Sequence, residues 1–130
     1  MLVPITGFYA GVLALIVIYL GFQVGAARLR TNVSILHGDD MELAERIRRH
    51  ANFTESVPLA LILLAVLELN GWSALLLHVL GGALVVARIA HPLGLHHDRM
   101  RHPLRGLGAG VTNLVTGIAA LAAIFTLVGA

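Results

Sequence analysis

Arg46–Leu67, RIRRHANFTESVPLALILLAVL, is the stretch on which the reading of this chain turns. Its first half carries Arg46, Arg48, Arg49, His50, Asn52 and Glu55, and its second half has no charge until Glu68. A polar segment therefore runs directly into an apolar run of the kind that crosses a bilayer. The remainder of the chain reads as scaffold and partners for that junction.

The composition supports this reading. Hydrophobic residues make up 58% of the chain and charged residues 12%, against about 25% charged in soluble domains. Too few charges remain to solvate a surface, so the surface must face lipid. A chain of 130 residues has much surface for its volume and favours a single domain over 1–130. All nine basic residues are Arg, and the formal charge of +2 is too small to point to nucleic acid. The absence of Cys excludes disulfides, thiolate metal sites and a cysteine nucleophile.

Four stretches are long and apolar enough to span, at about 3–29, 41–69, 72–91 and 103–128; a span needs about 20 apolar residues. The expected fold is all-α, an integral membrane four-helix bundle. The first stretch lacks a basic n-region and is too long for a signal peptide. Its Gly7/Gly11 and Gly21/Gly25 pairs either let backbones approach closely or arise by chance in a Gly-rich span. Thr31–Ser34 reads as a possible extension of that helix. Asp39 or Asp40 caps the second helix, with Glu42 in its first turn. That helix is longer than a bilayer requires, so its first turns protrude, and Pro58 permits a bend near Thr54. Asn70-Gly71 is a turn, and Trp72 suits the interfacial aromatic belt. His78 is alone in an apolar span and reads as a packing or lipid-interface residue. All nine Arg cluster around the first and third loops. The positive-inside rule places those loops in the cytoplasm and both termini outside.

Arg48, Asn52 and Glu55 are spaced i, i+4, i+7 and share roughly a 60° arc of one helix face. Arg88 and His91 are i, i+3. Arg101 and Arg105 are i, i+4, with Thr112 and Thr116 further down the fourth helix. Charge facing lipid costs about 2.5–3.5 kcal/mol per group at mid-membrane, so the economical arrangement turns these polar ends towards one another. Singly, each Arg reads as a topology anchor and Glu55 as one half of an interhelical ion pair. As a convergent set they read as an anion-binding pocket, since the guanidinium fork matches carboxylates. His96, His97 and His102 have only Asp98 as a neighbouring carboxylate in sequence, so no metal site is expected.

Arg48-x-His50-x-Asn52-x-x-Glu55-x-x-Pro58 within a four-span chain resembles the MAPEG family, the membrane-associated proteins in eicosanoid and glutathione metabolism. Arg88-x-x-His91 is similar to the family's second marker, and Arg101-His-Pro-Leu-Arg105 to its third. Gly38-Asp-Asp40 and the HPLGLHH segment look most like the small bacterial inner-membrane branch. The resemblance covers essentially the whole chain. It implies a homotrimer of four-helix bundles in which glutathione, as co-substrate, lies between subunits near the cytoplasmic face. Positions matching Arg48, Asn52, Glu55 and Arg88 would contact it, with His91 beside them. An Arg at the start of the fourth helix would stabilise the thiolate. Either Arg101 or Arg105 matches that residue, with Arg105 preferred. The implied chemistry is thiolate attack on a small lipophilic electrophile, or reduction of a lipid hydroperoxide, and it needs no protein cysteine. A neighbouring guanidinium favours the thiolate.

The chain departs from the family where eicosanoid-processing members carry a Tyr shortly after the second marker; here the residues are Pro92-Leu-Gly-Leu95. Tyr9 and Tyr19 are both on the first helix. This argues against eicosanoid synthesis and favours, as the alternative, a non-catalytic trimer that binds membrane lipid or another ligand. A four-helix multidrug exporter fits poorly, because the Arg residues beside Glu55 would repel cationic drugs.

Overall fold

The computed structural model describes residues 2–128 and contains four α-helices: α1 (Pro4–Thr31), α2 (Met41–Leu69), α3 (Ala74–Gly94) and α4 (Pro103–Val128). All four are long and apolar enough to cross a membrane. Large apolar side chains such as Leu15, Phe22, Leu75, Leu121 and Phe125 lie on the outside of the bundle. In water that surface would be untenable for a single chain; in lipid it is the expected exterior.

The helix boundaries follow local chemistry. Pro4 opens α1, where its missing N–H costs nothing. Asn32 ends it in the left-handed conformation, donating its N–H to the Arg28 carbonyl. The expected extension through Ser34 does not occur, because that residue turns the chain. The Asp40 side chain accepts from the Leu43 N–H at 2.7 Å and starts α2, which runs unbroken past Pro58. Ser73 caps α3. That helix continues through Pro92 to Gly94, three residues beyond the end expected from sequence. Proline there removes only one intrahelical bond, the one to the Arg88 carbonyl.

One cap is supplied from a distance. Val3 gives α1 no side-chain cap. Instead the Glu68 carboxylate, near the end of α2, accepts from the Ile5 and Thr6 N–H groups at 2.8 Å each. A negative group at a helix N-terminus satisfies orphan donors and opposes the positive end of the dipole. At the same end the Tyr9 hydroxyl lies 3.1 Å from His78 Nδ1 and donates to the His78 carbonyl. His78 is therefore partnered, unlike the lone packing residue its sequence context implied. Trp72 Nε1 donates to Thr126 on α4.

In packing, α3 makes its most extensive contact with α4, and α1 with α2. α2 also meets α3 and α4, and α1 meets α3, whereas α1 and α4 share no contact among the described residues. The bundle is thus a rhomb whose short diagonal is α2–α3. The core along it includes Phe53, Val57, Leu64, Leu80, Leu84 and Val115. The glycine pairs of α1 are not used in this packing: nothing approaches Gly7, Gly11 or Gly25, and Gly21 only faces the His50 ring.

Glu68→Ala is expected to destabilise the fold by about 1–2 kcal/mol, the usual worth of an N-cap. The measurement is the midpoint of thermal helix loss in detergent, and Glu68→Asp, with a shorter reach, should fall between.

Candidate anion-binding site at the arginine-rich end

Arg88 is the largest fully buried side chain in the molecule, 2% exposed. It projects from α3 into the short diagonal of the rhomb. One terminal nitrogen donates to Asn52 Oδ1 at 2.9 Å and to the Ser56 hydroxyl at 3.0 Å, both on α2. The other donates to the Gly108 carbonyl on α4 at 3.0 Å. Every acceptor is neutral, and among the described residues no carboxylate pairs with it. Arg88 Nε has no partner at all. Three helices are joined by one guanidinium whose charge stays uncompensated.

The α3–α4 contact makes this possible. A side chain at Gly108 would collide with the His91 backbone and the Ala87 carbonyl, and one at Gly94 would collide with the backbone of Leu104 and Arg105. The two helices therefore nearly touch at this end. The same closeness exposes the Gly108 carbonyl to Arg88 and brings the first turn of α4 beside His91. That carbonyl also accepts from the buried Thr112 hydroxyl at 2.7 Å.

The residues singled out from sequence divide into groups. Arg48, Asn52, His91 and Arg105 line one cavity of about 290 Å³. Arg88 lies behind its wall, held by Asn52. Arg101 does not line this cavity; it borders a shallower depression on the outer side of α4 that it shares with Arg105. Glu55 does not line it either. Its carboxylate pairs with Arg48 at 3.4 Å along the α2 surface, and both side chains are more than half exposed. The expectation that all the polar faces turn towards one another thus needs correction: Arg88 and His91 point inward, whereas Arg48 and Glu55 lie on an outer face of the single chain. His91 is buried, with Nδ1 unpartnered.

The cavity is roofed by the loop between α3 and α4, whose attachment the sequence did not reveal. Arg49 donates to the Leu95 carbonyl through two nitrogens, at 2.8 and 3.2 Å. Glu45 pairs with Arg49 at 3.2 Å and accepts from both the backbone N–H and the imidazole of His97. Ser56 and Gly108 were also missed. Ser56 has a faint signal, being one turn beyond Asn52; Gly108 contributes only a carbonyl and has none.

The profile of the MAPEG family matches residues 6–125. The chain belongs to the MAPEG family. It is 31% identical to the inner membrane protein YecN of Escherichia coli K12 over 105 residues, covering 81% of this chain and 80% of the relative. The protein of the same name from Escherichia coli O6:H1 matches equally. No solved structure matches significantly. Membership makes this a membrane protein of the glutathione and eicosanoid metabolism family.

Arg88→Lys tests the bridge. An ammonium keeps the charge but lacks the fork that reaches α2 and α4 together. The expected loss is about 3 kcal/mol, in the range for breaking a buried charged network, read as a lowered thermal midpoint. Arg101→Ala, outside the cavity, should leave that midpoint unchanged.

Proposed function

We propose that this MAPEG protein binds glutathione at the arginine-rich end and activates its thiolate for attack on a lipophilic electrophile or hydroperoxide. The observation that carries the proposal is the guanidinium charge gathered at the cavity. Arg48, paired with Glu55, and Arg105 line it beside Glu45, which Arg49 pairs, and Arg88, with no carboxylate of its own, is held behind by Asn52. Glutathione carries two carboxylates and one ammonium group, so it can offer an anionic group to Arg105 and Arg88. A carboxylate bound near Arg48 and Asn52 leaves the sulfur free to face Arg105. A guanidinium there lowers the thiol pKa by favouring the anion. The sulfur then bonds to the electrophilic carbon as the leaving group departs with its electron pair, and the thiol proton passes to solvent.

A homotrimer accompanies this reading. The cavity's 290 Å³ lies at the bottom of the roughly 300–1,000 Å³ range of small-molecule sites, so a tripeptide needs a further wall. The outer stripe of α2 indicates where one would come from. Arg48, Asn52, Glu55, Leu59, Ile62, Val66 and Leu69 alternate in steps of four and three, the spacing of a helix-packing seam. Leu59, Ile62 and Leu69 are more than half exposed in the single chain. Copies meeting along that stripe would cover the Arg48–Glu55 pair and close the cavity. The charge distribution supports a bacterial inner-membrane orientation with the arginine-rich loops cytoplasmic and both termini outside.

A second reading, an amphiphile-binding protein without turnover, is favoured by one observation. A groove of about 400 Å³ between α1 and α3 is walled by Leu15, Leu20, Ile89 and Leu93 and ends at Gln23 and Arg49. It would take an acyl chain with a polar head.

Calorimetric titration of glutathione into the purified protein decides between them, paired with a conjugation assay on a reactive aryl halide. Saturable binding is expected, weakened about tenfold or more by Arg48→Ala, the worth of a charged hydrogen bond. Arg105→Ala should reduce conjugation more than binding, and Arg101→Ala should change neither. No heat of binding and no conjugation would leave the amphiphile reading.

A further inference from the structure

We propose that Glu45, His97 and Asp98, with His96 as a fourth donor, form a binding site for a divalent transition-metal cation of the zinc type. In sequence the histidines of the third loop have only Asp98 beside them. The fold adds a carboxylate from another helix, Glu45 of α2, which is 52 positions from His97. Glu45, His97 and Asp98 each present a ligand atom within 4.8 Å of the other two. His96 Nδ1 lies 3.8 Å from the second oxygen of Glu45.

The geometry is close to what a cation needs. Bonds of about 2.0–2.1 Å place two ligand atoms roughly 3.3–4.2 Å apart around one Zn²⁺. The widest pair must therefore close by about 1 Å, within the reach of two exposed side chains on a loop. Glu45 is already held in place: its side chain is 12% exposed, one oxygen accepts from the His97 N–H at 2.9 Å, and the other pairs with Arg49. His97 Nδ1 stands 2.5 Å from the first oxygen. A metal binds the deprotonated forms of both groups and would sit between them.

The donors are imidazole nitrogens and carboxylate oxygens without thiolate. That set suits Zn²⁺, Co²⁺ or Ni²⁺ and does not suit Cu⁺. His97 is 46% exposed, which leaves an entry path. Arg49 opposes the cation by charge. It is also anchored on the Leu95 carbonyl, so it can stay on the second oxygen while the metal occupies the first. Affinity should accordingly be lower than that of a closed structural zinc centre. Occupancy would pin the loop Leu95–His102 to α2 and stiffen the roof of the arginine-lined cavity, whatever ligand that cavity holds.

The test is calorimetric titration of tag-free protein in detergent with ZnCl₂, with Co²⁺ absorption as a second readout of nitrogen ligation. One saturating cation per chain is expected. His97→Ala should weaken binding by about tenfold or more, at least the loss that outer-shell partners produce, while His37→Ala, on the other loop, should leave it unchanged. If His97→Ala does not fold, as judged by helix content, Asp98→Asn serves in its place with the same expected direction. Absence of saturable binding, or binding undiminished in the variant that folds, overturns the assignment.

Discussion

One buried guanidinium organises the arginine-rich half of this bundle. Arg88 leaves α3 and reaches acceptors on α2 and α4. Moving a charge out of water costs several kcal/mol even after relaxation. Its hydrogen bonds, worth about 1.5–3 kcal/mol each for a charged donor, offset that cost but leave the charge itself unbalanced. Gly94 and Gly108 let α3 and α4 approach, and Asn52 and Ser56 present the acceptors on α2. A ligand that balances the Arg88 charge itself would be anionic.

The opposite end is held by the reverse device. There a carboxylate, Glu68, receives the N-terminal amides of α1, so a negative side chain meets the positive end of a helix. At the arginine-rich end Glu45 plays a related part, gathering Arg49 and the third loop onto α2. The two devices fasten a helix start without a side-chain cap of its own and an eight-residue loop to the same long helix. α2 touches every other helix, which makes it the natural post for both.

The helices were legible in the sequence because they follow from local facts. Uncharged runs define the spans, Asp40 is one of the two cap candidates for α2, and nine Arg without a Lys mark one end. The MAPEG resemblance was legible for the same reason, since Arg48, Asn52 and Glu55 lie within two turns of one helix and the family match covers 6–125. What was not legible is direction. Arg48 and Arg88 are the same residue type towards the same end, yet one lies on an outer face and the other is buried against α2 and α4. α3 runs past the expected end at residue 91 because a helix supported by packing tolerates the one bond missing at Pro92. The links from Glu68 to Ile5 and from Glu45 to His97 join residues more than fifty positions apart, and no spacing rule reaches that far.

We propose that the positive charge around Arg88 and Arg105 holds glutathione as its thiolate. The most direct measurement is the ultraviolet absorbance of glutathione mixed with the purified protein at neutral pH. A thiolate band that saturates with glutathione and disappears in Arg105→Ala is the predicted result. An unchanged thiol spectrum at saturating glutathione would contradict it.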